Sequence, residues 1–261
     1  MKPVWRLLDH GPGPADWNMA VDEALLVAHV EDCGPASLRF YHWSAPTLSL
    51  GAGQEWPAHL CDQILQALGL DLVRRPTGGR AVLHGGDLTY CLVAGTRDGF
   101  PVSTTAIYRR LGLALKAGLK KLGIVVESGA ASRSAPSFAC FARATPADLT
   151  WQGRKFIGSA QLWRGQSFLQ HGSIILESQE EIWRRLLSYC RAGSFQLWPM
   201  VSLAEILKHP VSLAALKTAL LEGFQEVLGV EFRAGELSER EEIRAAARCS
   251  RIRLEFSQTL A

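Results

Sequence analysis

The chain has 261 residues, 48% of them hydrophobic, and a formal net charge of +3, which supplies a sizeable core and too little charge bias to argue for a nucleic-acid partner. Basic residues fall in short pairs, Arg109-Arg110, Lys120-Lys121 and Arg184-Arg185, among interspersed acids. Six dispersed cysteines (Cys33, Cys61, Cys91, Cys140, Cys190, Cys249) form no CxxC pair or Cys/His cluster, so the expectation is reduced thiols, a cytoplasmic location and no metal site.

VWRLLDH reads as a strand and carries no apolar signal core, and no run reaches the roughly 18 apolar residues of a membrane helix, so no membrane partner is expected. Asp16 is placed to cap a helix through WNMAVDEALLVAHVED, and SLRFYHW and TLSLG follow as a hairpin about Ser44-Ala45-Pro46. PAHLCDQILQALGL is a helix with proline near its start, DLVRRP and DLTYCLV are strands, and Ser103-Thr104 caps a long amphipathic helix that IVVES follows as a strand. From 129 to 146 the chain is rich in alanine, serine and proline without period, a loop of functional length. A meander then turns over Gln152-Gly153, Ser178 and Glu181 have capping-box spacing, and SLAALKTALLEGFQEVLG and SEREEIRAAARCS are helical. The fold class is α+β: a mixed, largely antiparallel sheet flanked by helices.

RRPTGGRAVLHGG, residues 74–86, lacks both the GxxxxGK[ST] and the GxGxxG order, so the common nucleotide loops are unsupported. Paired glycines at 78 and 79 serve a tight turn or let main chain approach a ligand. Arg74, Arg75, Arg80 and His84 beside Thr77 favour binding over a solvated strand end, because cations gathered in one place need polar partners. Cys140 stands in the aperiodic loop, unlike Cys61, Cys91 and Cys190, which fall in helical or strand patterns and read as buried and inert. A nucleophilic cysteine needs a nearby cation or base; Lys155, just beyond the loop, is a candidate, with a solvated surface lysine as the alternative. His171 is either a base or a hydrogen-bonded structural residue, and Gly158, Ser159 and Ala160 are small enough to admit a ligand.

NMAVDEALL (18–26), LRFYHWSAPTLSLG (38–51), RRPTGGRAVLH (74–84), ACF (139–141), GRKFIGSAQ (153–161) and LQHGSIIL (169–176) together, in this order, resemble the biotin and lipoate protein ligase superfamily. Within it the chain is similar to the cysteine-dependent octanoyltransferases that load protein lysines for lipoic acid synthesis, because it has Arg80 where lipoate ligases typically carry a third glycine, and a cysteine at 140. The resemblance implies that family's catalytic-domain fold over 1–261, with a C-terminal helical segment of about 210–261 packed on it. It implies that Cys140 is the nucleophile and Lys155 the active-site lysine, and that Arg75, Thr77, Gly78, Gly79, Arg80, His84, Gly158, Ser159, Ala160 and His171 surround the substrate.

The implied donor is octanoyl-acyl carrier protein and the implied acceptor a lipoyl domain, that of the glycine cleavage H protein or a 2-oxoacid dehydrogenase E2. No cofactor is expected; ATP and magnesium belong to the alternative of an acyl-adenylate-forming ligase. An amidotransferase between lipoyl domains, or a non-catalytic acyl or lipoyl-domain binder, are further alternatives. Arg74, Arg75 and Arg80 are expected to meet the pantetheine phosphate or an acidic partner protein. The chain departs from the family in having no acidic residue shortly after Phe141.

Overall fold

A computed structural model describes residues 1–55, 62–129, 145–189, 200–209 and 212–259. The large sheet contains β1 (Val4–Gly13), β2 (Ser37–Trp43), β6 (Asp87–Gly95), β7 (Glu127–Ser128), β8 (Leu149–Trp151), β9 (Arg154–Arg164), β10 (Ser167–Ile175) and β11 (Glu231–Ala234), in the spatial order β11-β1-β2-β6-β10-β9-β8-β7. A small sheet of β3 (Thr47–Leu50), β4 (Asp71–Arg74) and β5 (Val82–His84) has the order β4-β3-β5. Within the large sheet only β1 runs parallel to its neighbours, so the sheet is mixed and largely antiparallel, as the sequence predicts.

The helices are α1 (Ala15–Glu31), α2 (Asp62–Leu68), α3 (Thr104–Lys121), α4 (Glu180–Ser188), α5 (Leu203–Leu207), α6 (Leu213–Leu228) and α7 (Glu239–Thr259). Side chains alternate along β6, so Leu88, Tyr90 and Leu92 enter one core with Ile107 and Leu111 of α3 and Phe224 of α6. Cys91 and Val93 enter a second core with Met19 and Leu26 of α1 and Ala245 of α7.

Several local expectations are corrected. The Ser44-Ala45-Pro46 turn does not close a hairpin: β2 stays in the large sheet, while β3 pairs with β4 and β5 in the small one. The carbonyl of Pro46 accepts from the N–H of Asp71, holding the chain where it changes sheets. Helix α1 begins one residue before Asp16, with Pro14 at the cap position. Asp16 instead bonds the Trp17 N–H within the first turn. The Ser178/Glu181 box does not form, because α4 is capped at Gln179 and Glu181 accepts from Arg184. IVVES is strand only at Glu127–Ser128. The short β5, α5 and β11 were not read from sequence. The predicted cap at Ser103 forms, and so does the turn at Gln152-Gly153, whose two residues both have positive φ.

One buried polar network ties α1 to the large sheet. Asp22, fully buried, accepts from Arg39 of β2 (Nη1 to Oδ1, 2.7 Å), from the Tyr41 hydroxyl (2.8 Å) and from His171 Nδ1 of β10 (2.9 Å). Arg39 also donates to the carbonyl and side-chain oxygens of Asn18 and to His10 Nδ1. Burial alone would raise the Asp22 carboxyl, but the His171 hydrogen bond and the Arg39 charge hold it below the usual carboxylate value. Burial lowers His171 below the usual histidine value despite the opposing pull of Asp22, and lowers His10 and His42 likewise.

These directions fix the acid sensitivity. The unfolded chain takes up protons on these histidines near the ordinary histidine pKa of about 6.5 while the folded chain does not, so stability declines as pH falls through that value. The depressed Asp22 carboxyl adds stability that persists above about pH 4 and is lost only in stronger acid. Urea unfolding midpoints should therefore hold from pH 8 to 7 and fall between pH 6.5 and 5, and His171→Gln should shallow that fall. A separate constraint joins α3 and α6, which meet at glycines. A Cβ on Gly118 would lie 2.7 Å from the Ala219 carbonyl oxygen, and one on Gly223 would strike the Ala114 carbonyl oxygen and the Gly118 nitrogen. Gly223→Ala should cost about 1–3 kcal/mol of unfolding free energy in urea titrations, the usual cost of overpacking.

Candidate active site

The glycine stretch forms a braced loop between β4 and β5. Arg75 is buried and spends its guanidinium on backbone: Nη1 donates to the Ser49 carbonyl (3.0 Å), and Nη2 to the carbonyls of Gly78 (2.9 Å) and Arg80 (2.7 Å). Gly79 has φ +100°, and a Cβ there would lie 2.8 Å from Arg75 Nη2, so both the conformation and the brace require glycine. Gly51 is required for a related reason, since its Cβ would strike the Gly79 carbonyl. Arg74 Nη1 likewise serves the carbonyls of Gly51 and Gln54 (2.9 and 2.7 Å). These donors of Arg74 and Arg75 close the loop onto itself, where the sequence leads to the expectation of a partner's phosphate or acids. Arg80 differs, its Nη1 being buried with no hydrogen-bond partner among the described residues.

Two hydroxyl–histidine–carboxylate relays lock the loop to the sheets. In one, the Thr77 hydroxyl lies 2.7 Å from His171 Nε2, whose Nδ1 is on Asp22. An ionised Asp22 can only accept, so Nδ1 carries the ring proton and donates to it, and Nε2 accepts from Thr77. In the other, Ser49 Oγ lies 2.9 Å from His84 Nε2, and His84 Nδ1 lies 2.8 Å from Asp87 Oδ2. Asp87 also accepts from Ser173, Thr89 and the Gly85 N–H. Burial would raise its carboxyl, and the charge and hydrogen bond of His84, with the Ser173 hydroxyl, hold it below the usual value. His84 stacks on Trp43 with ring centroids 4.0 Å apart, and Trp43 Nε1 donates to Thr89 Oγ1.

Between loop and sheet lies a partly open, mainly apolar cavity. Gly78 and Gly79 wall it on the loop side, with Gly158, Ser159 and Ala160 of β9 and His171 to Ser173 of β10 on the sheet side; Tyr41, Trp43, Met19, Val82 and His84 complete it. Of the residues expected around a substrate, Gly78, Gly79, Arg75, His84, Gly158, Ser159, Ala160 and His171 line this space, while Thr77 stands behind it on His171 and Arg80 lies outside the lining.

Lys155 is fully buried and its Nζ lies 3.0 Å from Asp148 Oδ1, so it is no solvated surface lysine. A register shift in the β8–β9 pair sets Leu149 opposite Ile157 but Thr150 opposite Lys155. Because neighbours alternate, Lys155 takes the sheet face of Gly158 and Ala160, the cavity face. Asp148 Oδ2 also accepts from the Thr145 N–H and hydroxyl, and the Asp148 carbonyl accepts from the Gly129 N–H. The segment 130–144 thus leaves and re-enters the described chain at the carboxylate that holds Lys155. Cys140 lies in that segment, outside the described residues. Cys91 is buried, and burial together with Asp22 pushes its thiol well up, in keeping with an inert role. Among the described residues no helix is long and apolar enough to cross a membrane.

Sequence reading missed Asp22, Arg39, Asp87 and Asp148. An acid on the apolar face of α1 was the available signal for Asp22; nothing local marks Asp148, whose role depends on the β8–β9 register.

Comparison with known proteins gives the family and the fold. Residues 14–225 match the model of the lipoyl protein ligase A/B catalytic domain. The octanoyltransferase LipM of Kyrpidia tusciae is 39% identical over 255 residues, 91% of this chain and 92% of that protein. That of Moorella thermoacetica is 38% identical, over 91% of each. A crystal structure of lipoate-protein ligase A bound with ATP superposes with a TM-score of 0.77 at 25% identity, over 96% of this chain and 95% of that one. A lipoate protein ligase from T. acidophilum with bound lipoic acid gives 0.76 at 24% identity, over 96% of each chain, and shares the fold. The chain belongs to the lipoyl protein ligase A/B catalytic domain family.

Proposed function

We propose the route by which this octanoyltransferase of lipoate biosynthesis moves its acyl group. The Cys140 thiolate attacks the octanoyl thioester of acyl carrier protein, the carrier thiol leaves, and an octanoyl-Cys140 thioester forms. The amine of a lipoyl-domain lysine, that of the glycine cleavage H protein or an E2 subunit, then attacks. An amide forms, the Cys140 thiolate departs, and the amine proton passes to it. The first step exchanges one thioester for another and is nearly balanced, whereas amide formation is downhill and gives direction.

The observation that carries the reading is the apolar cavity walled by residues without bulky side chains. Gly78, Gly79, Gly158 and Ala160 leave space where longer residues would fill it. An eight-carbon chain buried there gains about 5 kcal/mol at roughly 0.8 kcal/mol per methylene. Both steps pass through an oxyanion, and a buried cation on the cavity face can stabilise it; Lys155, held by Asp148, is the candidate. The tie between Asp148 and Thr145 supports placing the Cys140 segment beside that cation.

Incubating the intact protein with octanoyl carrier protein, without nucleotide, should add one octanoyl mass, and Cys140→Ala should abolish it. Transfer by Cys140→Ala at the wild-type rate would sink the mechanism, and acylation that requires ATP and free acid would favour the ligase. Lys155→Ala should slow acyl transfer by about 100-fold or more, the loss typical of removing an oxyanion donor. Because Lys155→Ala leaves Asp148 buried and unpaired, Lys155→Met with Asp148→Asn is the companion variant. It should fold, by circular dichroism, and remain slow; a normal rate there would reduce Lys155 to a structural role.

A further inference from the structure

We propose that Met19 sets the upper limit on acyl-chain length; this rests on reading the apolar cavity as the acyl site. The floor of that cavity crosses the sheet from β9 through β10 and β6 to β2, as its lining runs from Gly158–Ala160 through His171–Ser173 and Thr89 to Tyr41 and Trp43. Three strand spacings of about 4.8 Å make that span roughly 14 Å, suited to an extended chain of medium length. Lys155 stands at the β9 side, so the reacting carbonyl belongs there and the methyl end of the chain points toward β2.

Met19 lines the cavity from α1 and shares a buried cluster with Tyr41 and Trp43 of β2, which points to the β2 side. It lies in α1 beside Asn18, whose Nδ2 donates to the His42 carbonyl (2.8 Å), and this fixes that turn of the helix over the end of β2. Met19 is also the one large lining side chain that no polar contact holds. Tyr41 is fixed by Asp22 and by Arg39 stacked 4.0 Å over its ring; Trp43 by Thr89 and His84; His84 by Asp87 and Ser49; His171 by Asp22 and Thr77; Arg75 by backbone carbonyls. Truncating any of these dismantles a network that braces the loop. An unbranched thioether with three rotatable bonds can change length or volume without doing so.

The test is a competition among hexanoyl, octanoyl, decanoyl and dodecanoyl carrier thioesters, read as acyl masses on the intact protein. Ratios between donors cancel any loss of folded enzyme. Met19→Ala should raise the decanoyl-to-octanoyl ratio of kcat/KM by about tenfold, the discrimination two buried methylenes carry. Met19→Phe should shift preference from octanoyl to hexanoyl. Leu25→Ala, which truncates another buried residue of α1 outside the cavity, should leave the ratios unchanged. Unchanged ratios in both Met19 variants, or an equal shift in Leu25→Ala, would overturn the proposal. Wild-type protein that accepts none of the thioesters would instead refute the reading of the cavity.

Discussion

A carboxylate with no access to water, Asp22, is the constraint on which the rest of the site depends. An isolated charge in that position is prohibitively costly, so it exists only with Arg39, Tyr41 and His171 converging on it. Those partners come from β2 and β10, which are not adjacent in the sheet, and the carboxylate comes from α1. Satisfying one charge therefore fixes the helix against two strands. It also fixes a tautomer: with its Nδ1 proton committed to Asp22, His171 has only an acceptor left to offer, and Thr77 at the head of the glycine pair supplies the matching hydroxyl. Replacing such a network by apolar packing could preserve stability, but it would lose this directional hold on the loop.

The second relay applies the same logic from the other side. Asp87, saturated by four donors, orients His84, which orients Ser49, whose carbonyl and hydroxyl meet Arg75. Arg75 then closes on the carbonyls of Gly78 and Arg80. A loop rich in glycine is entropically expensive to order, and here it is ordered from both flanks by buried hydrogen bonds. The glycines give room, and the relays supply the rigidity that glycines lack. A wall made of main chain can then be both close to a ligand and fixed.

Much of this architecture was legible in the sequence, and the failures share a cause. Long periodic segments announced α3, α6 and α7, and Gln152-Gly153 announced its turn, because local chemistry decides those features. The split between β2 and β3 was not legible, since Ser44-Ala45-Pro46 is compatible with either a hairpin or a change of sheet, and the choice lies in partners some 25 to 40 residues away in sequence. A run of cations at 74 and 75 suggests a bound polar partner, and the sequence does not reveal that carbonyls of their own loop and of the chain at 49–54 take several of these donors. Among expected site residues, the glycines, His84, His171 and the small residues of β9 do converge on one cavity. Asp22 and Asp87, which orient the two histidines, and Asp148, which holds Lys155, have partners that are tertiary facts, and only Asp22 leaves a local trace, as an acid on the apolar face of α1.

Polarity in this cavity is structural before it is chemical. Its histidines, hydroxyls and arginine turn nearly every donor and acceptor toward one another, which leaves a predominantly apolar surface built from heavily polar residues. On the proposed reading, such a surface gives a saturated acyl chain no polar partner, so length and cross-section decide what fits. In the proposed mechanism the chemistry lies toward β9, where a bulge turns Lys155 onto the cavity face and Asp148, which also accepts from Thr145, pairs with it. On the proposed mechanism the two ends face different demands: the apolar end excludes water and measures a chain, while the charged end, a buried lysine paired with a single carboxylate, steadies the charge that develops at the reacting carbonyl.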